Sequence, residues 1–127
     1  MTADGLAAAL RCCASGFYPA EAGVALLVSS GAFLHRSDFT GRFIEHGTSG
    51  GIPMAAIDWD AAITALNAGE LPCSGGERRI LALAASLAAG IPVDLRDAVT
   101  GLDDRNSQLL VTAISRASGN SHEQGHS

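Results

Sequence analysis

Apolar residues recur along this chain at helical spacing, and glycines cut the pattern into segments. Between stops at Gly16, Gly31, Gly47, Gly69, Gly90, Gly101 and Gly119, each segment fits one helical face better than an alternating strand. The most apolar segment is 74–90. After Arg79 it runs ten residues without charge, with Ile80, Leu83, Ala84 and Leu87 at i, i+3, i+4, i+7 and Leu81, Ala85 and Ala88 on the opposite side. A helix apolar on all sides is expected to be buried on all sides. Ser74 with Glu77 three residues on forms a capping box at its start, and Gly90 followed by Pro92 stops it. The pattern therefore predicts an all-α fold, a compact orthogonal bundle of six or seven short helices around a central helix over 74–90.

The other segments follow the same logic. Residues 3–14 place Leu6, Ala9, Leu10 and Cys13 on one side. Pro19 opens a second helix that stacks Ala20, Val24, Leu27 and Val28 before Gly31, with Gly23 as a weak point inside it. A third helix is expected from a Ser37 N-cap, with Phe39, Phe43 and Ile44 inward and His46 extending the spacing to Gly47. Residues 47–53, GTSGGIP, read as a mobile loop. Asp58 precedes a fourth helix carrying Trp59, Ala62, Ile63 and Leu66. A short helix after Asp94 carries Leu95, Ala98, Val99 and Leu102. The last, over 103–118, buries Leu110, Ala113, Ile114 and Ala117. Residues 1–118 form one expected helical domain, and 119–127 an expected disordered tail.

Composition narrows the function classes. The chain has 127 residues, 47% hydrophobic and 17% charged, with 23 alanines and few aromatics. That suffices for a core without disulfides or metal. All eight basic residues are Arg. Without Lys there is no Walker A phosphate loop and no Schiff-base amine. A net charge of −5 argues against nucleic acid as partner, and the acidic fourth helix, DWDAAITALNAG, does not resemble a DNA-recognition helix. Three cysteines, Cys12, Cys13 and Cys73, make an odd count that suits a reducing compartment. With no leader-like start and no membrane-length apolar run, the expectation is a cytoplasmic protein without a membrane partner.

Two resemblances accompany these features. CSGGERRILALAASLA at 73–88 resembles the signature segment of ATP-binding cassette ATPases, and DAVTGLDDRN at 97–106 resembles that family's Walker B acidic pair running into its D-loop. The resemblance implies phosphate contact at Ser74, Gly75 and Gly76 and Mg²⁺ at Asp97. It departs from the family where Ala98 replaces the catalytic Glu, Val99 replaces a Pro, and charged Asp94 and Arg96 interrupt what the family builds as a buried apolar strand. AIDWDAAITALNAGELPCSGGE at 56–77 and GIPVDLRDAVTGLDDRN at 90–106 resemble segments of small uncharacterised helical proteins of high-GC actinobacteria, which implies a soluble helical protein and no particular activity.

Candidate chemistry is sparse. Ser74, Gly75, Gly76, Arg78 and Arg79 are the candidate anion-binding residues, since helix-start N–H groups and two guanidiniums suit a phosphate or carboxylate. Glu77 opposes an anion there, and the capping-box reading is preferred. His46, Asp58 and Cys73 are candidates for a small pocket between the third, fourth and fifth helices; a lowered Cys73 pKa beside a helix start is one reading, and a semi-buried linker thiol without a His partner is preferred. No zinc spacing links the cysteines and four histidines, so neither metal nor cofactor is expected. The leading expectation is a non-enzymatic module that binds a protein partner or itself; the alternative is a small enzyme or ligand-binding protein using the His46, Asp58 and Cys73 pocket.

Overall fold

The computed structural model describes residues 2–119. They form seven helices: α1 (Ala3–Ala14), α2 (Tyr18–Ser30), α3 (Ser37–Phe43), α4 (Trp59–Asn67), α5 (Gly75–Ala89), α6 (Leu95–Val99) and α7 (Asp104–Ala117). Between α3 and α4 lies a hairpin of β1 (Ile44–Ser49) and β2 (Ile52–Ile57). The fold is thus mostly helical but not all-α. The expected tail lies, beyond Gly119, outside the described residues.

Most helix boundaries come from short-range chemistry. Thr2, Asp58, Asp94 and Asp103 each accept from a backbone N–H of the turn they precede, at 3.0, 3.0, 3.2 and 2.7 Å. Ser74 and Glu77 close the capping box: the Ser74 N–H donates to Glu77 Oε1 at 2.9 Å, and the Glu77 N–H to Ser74 Oγ at 3.1 Å. Gly31 and Gly90 end α2 and α5 in the left-handed conformation. Helix α3 departs from expectation. Its N-cap is Arg36, with no side-chain cap bond, and Ser37 is already helical. The local polar link is instead Arg36 to Asp38, a two-point pair at 3.0 and 2.6 Å.

Residues 47–53, expected as a mobile loop, belong to the hairpin. The antiparallel register pairs Ile44 with Ile57, His46 with Ala55, and Ser49 with Ile52. The two residues left at the turn, Gly50 and Gly51, have φ of 58° and 82°, the signature of the tight turn whose twist suits a two-residue hairpin. Helix α3 therefore stops at Phe43, and His46 sits in a strand. The ladder continues into the next element through Asp58 N–H donating to Phe43 O at 2.7 Å. On the inward face Ile44, Ala55 and Ile57 are buried and meet the core. Helix α1 packs against β2 and contributes Leu6, Ala9 and Leu10 to that core.

The core is organised on α2 and α5 together. Five of the six residues from Ile80 to Ala85 in α5 are buried, and Ala82 is half-buried, as expected for a helix apolar all round. Its main neighbour is α2, whose other side takes α7. Gly23 in the middle of α2 lies against Ala84 and Ala88 late in α5. Arg105, in the first turn of α7, reaches the Ser29 and Ser30 carbonyls that end α2, while Gly119 just past α7 lies beside Tyr18 at the start of α2, so α2 and α7 run antiparallel. Phe33, Phe39 and Phe43 make an aromatic run with ring centroids 5.0 and 5.4 Å apart. No described helix is long and apolar enough to cross a membrane.

Candidate functional site

The start of α5 gathers the five candidate anion-binding residues, and the geometry assigns a structural task to Ser74, Arg78 and Arg79. Ser74 is occupied in the capping box, and Glu77 holds the N-cap N–H that an anion would need. The two guanidiniums are engaged by carbonyls of neighbouring helices. Arg78 Nη1 donates to Leu66 O in the last turn of α4 at 3.4 Å. Arg79 Nε donates to Asp97 O in α6 at 3.4 Å, and its guanidinium lies over Gly101 and beside Gly75. Arg105 does the same job for α2, at 2.6 Å to Ser29 O and 3.4 Å to Ser30 O. Cations over helix C-terminal carbonyls satisfy orphan acceptors and complement the dipole. Three of the eight arginines thus tie helix ends together.

The Walker B likeness lacks its structural setting. Asp97 lies in the first turn of α6, where its N–H donates to Asp94, and residues 95–99 are helical where that family has a strand.

His46, Asp58 and Cys73 sit on three separate segments. His46 is exposed in the middle of β1; Asp58 caps α4 three ladder positions away, roughly 10 Å at strand rise; Cys73 is half-buried in the linker before α5. No hydrogen bond joins any two of them. Burial pushes the Cys73 thiol above its ordinary pKa, with Glu77 adding to the effect against Arg36 and Arg78. Cys73 is thus the half-buried linker thiol preferred from the sequence, and no helix-start activation accompanies it. Asp38 shows the opposite shift, held below the usual carboxylate value first by the hydrogen bond from Arg36. Among the described residues no group of three or more His, Cys, Asp or Glu side chains is arranged to hold a metal ion.

Two surface features escaped the sequence pattern. One is a cleft of about 80 Å³ between α2 and α7, lined by Ala25, Leu26, Ser29, Leu109, Thr112, Ala113 and Arg116. The other is a set of exposed apolar side chains on the last two helices. Leu95 and Val99 of α6 are 55% and 40% exposed, and Val111 and Ile114 of α7 are 67% and 49% exposed. Ile114 was expected in the core, and Leu95 and Val99 were placed on the short helix after Asp94. Ile114 misses the core because the buried side of α7 runs through Leu110 and Ala113, and the single short helix α6 buries Ala98 alone.

Comparison of the chain with known protein families, curated proteins and solved structures finds no match.

Proposed function

We propose that this chain is a non-enzymatic interaction module whose α6–α7 surface takes an apolar segment of another protein. The observation that carries the reading is the pair Val111 and Ile114, spaced i, i+3 and both largely exposed on a helix whose other side packs on α2. Leu95 and Val99 repeat the arrangement at i, i+4 on α6. Exposed apolar groups clustered on consecutive elements mark interaction surfaces more often than singly scattered ones do. Four carboxylates, Asp94, Asp97, Asp103 and Asp104, fall in the same stretch against Arg96 and Arg105, and Arg105 is already turned onto the end of α2. The partner this rim suits is an amphipathic segment with an apolar stripe flanked by Lys or Arg. A reducing, cytoplasmic setting belongs to the same reading and is supported by three free cysteines.

A photo-crosslinking residue at Val111, used in cells of the producing organism, tests this. The expected result is one adduct on a basic-flanked apolar segment, weakened by high salt and lost with Ile114→Asp. Absence of any adduct, or the same adduct from a crosslinker at exposed Thr64 on α4, would refute it.

A further inference from the structure

The hairpin offers a second, independent surface, and its two edges differ. The bond from Asp58 N–H to Phe43 O fixes the parity of the ladder. Residues at odd positions of β1 bond to β2, so the N–H and C=O groups of His46 and Thr48 point away from it. By the same parity Pro53, opposite Thr48, stands where its missing N–H would face outward from β2. Proline at such a position blocks further strand pairing, a usual guard on an edge. Strand β1 has no such guard. It contains no Pro and no Lys, and every residue from Glu45 to Ser49 is exposed. Nor does any backbone bond outside the hairpin engage His46 or Thr48. Gly47 adds a separate sign. It lies mid-strand, its φ is not positive, and a Cβ there would meet nothing within 4 Å. The folded chain gives no reason for glycine at this place, and an unexplained strand glycine often marks the close approach of another backbone.

We propose that β1 pairs antiparallel with β1 of a second copy of this chain, joining two hairpins into a four-stranded sheet with order β2-β1-β1-β2. The outward groups must face each other, and a two-fold axis through Gly47 achieves this by setting His46 of each copy opposite Thr48 of the other. Each Thr48 N–H then donates to a His46 carbonyl and each His46 N–H to a Thr48 carbonyl, about four bonds in all. Glycine meets glycine at the axis. Glu45 falls opposite Ser49, so the single charge of the strand never meets its own copy. The interface is isologous and closes on itself as a dimer. It leaves the α6–α7 surfaces of both copies outside the contact.

Sedimentation equilibrium over a concentration series tests this on the full chain. The wild type is expected to pass from monomer to dimer. Thr48→Pro removes an outward N–H from each copy and no bond within the hairpin, so it should weaken dimerisation roughly 100-fold with unchanged helical signal and melting of the monomer. If that variant fails to fold, Ser49→Glu decides: it faces Glu45 of the second copy and should weaken the dimer about tenfold, with affinity restored by adding Glu45→Arg. A wild type monomeric at all concentrations would overturn the proposal. So would a dimer indifferent to both Thr48→Pro and Ser49→Glu. Val111→Asp, which abolishes partner binding at the other surface, should leave the dimer intact, so the two proposals fail separately.

Discussion

Replacing Gly23 by Ala separates helix propensity from helix packing at a single atom. A Cβ at position 23 would lie 2.6 Å from Ala88 Cβ and 2.7 Å from the Ala84 carbonyl oxygen. Ordinary carbon–carbon contact is about 3.5–4 Å, so the overlap is close to 1 Å. Neither neighbour can rotate away: one is a side chain with no rotamers, the other backbone in the middle of α5. The helices must part, and overpacking of this kind costs about 1–3 kcal/mol. Against it stands the gain from removing a helical glycine, about 0.5–1 kcal/mol. Packing wins, with a net loss of about 1–2 kcal/mol. For a domain of this size that lowers the melting temperature by roughly 4–10 °C. Gly41→Ala is the internal control. Gly41 is helical in α3 and a Cβ there meets nothing within 4 Å, so the same substitution should stabilise by about 0.5–1 kcal/mol. Urea and thermal unfolding followed by circular dichroism reads both. Adding Ala88→Gly to Gly23→Ala should rescue only part of the loss, because the Ala84 carbonyl stays. If Gly23→Ala stabilises as Gly41→Ala does, the close crossing of α2 and α5 is wrong.

Other outcomes follow from the same contacts. Ser74→Ala should cost about 1 kcal/mol and Glu77→Ala less, with no melting shift in either variant on adding phosphate or ATP; a ligand-dependent shift abolished by Arg78→Ala would restore the anion site. In thiol labelling of the folded protein, exposed Cys12 and Cys13 should react quickly and half-buried Cys73 slowly, the rates converging in denaturant; fast Cys73 labelling would contradict its raised pKa. Since the Asp38 pKa is lowered by folding, the Arg36 pair contributes stability above the ordinary carboxylate pKa that is lost as pH falls through the depressed value. Asp38→Asn should therefore flatten the acid limb of a stability profile, lowering stability modestly above the ordinary carboxylate pKa and changing little below the depressed value.

The helices were legible because their signals are local. Ser74 with Glu77, Asp58, Asp94 and Asp103 cap the turns they precede, and Gly31 and Gly90 end the helices they follow. The hairpin was hidden because Gly50-Gly51 and Pro53 are loop formers by composition, and because small alanines at 55 and 56 mute the alternation of β2. The overlooked signal was the Gly-Gly pair itself, set between runs beginning at Ile44 and ending at Ile57. Gly23 looked like a defect in α2 because propensity is a property of one helix, whereas its reason lies on α5, some sixty residues away. The candidate site at Ser74 was found correctly as a cap. The destinations of Arg78 and Arg79, carbonyls of α4 and α6, depend on tertiary placement that periodicity does not carry.

Residues 44–57 form a hairpin with one guarded and one open edge, where composition reads 47–53 as a loose loop. Site-resolved amide exchange by nuclear magnetic resonance, run on dilute and concentrated samples, tests it most directly. In dilute solution Glu45, Gly47, Met54 and Ala56, in the bonded pairs, should be protected, while His46 and Thr48 exchange freely. Raising the concentration should protect His46 and Thr48 as the second copy adds to the edge. Uniformly fast exchange across 44–57, or fast exchange at His46 and Thr48 at every concentration, would contradict it.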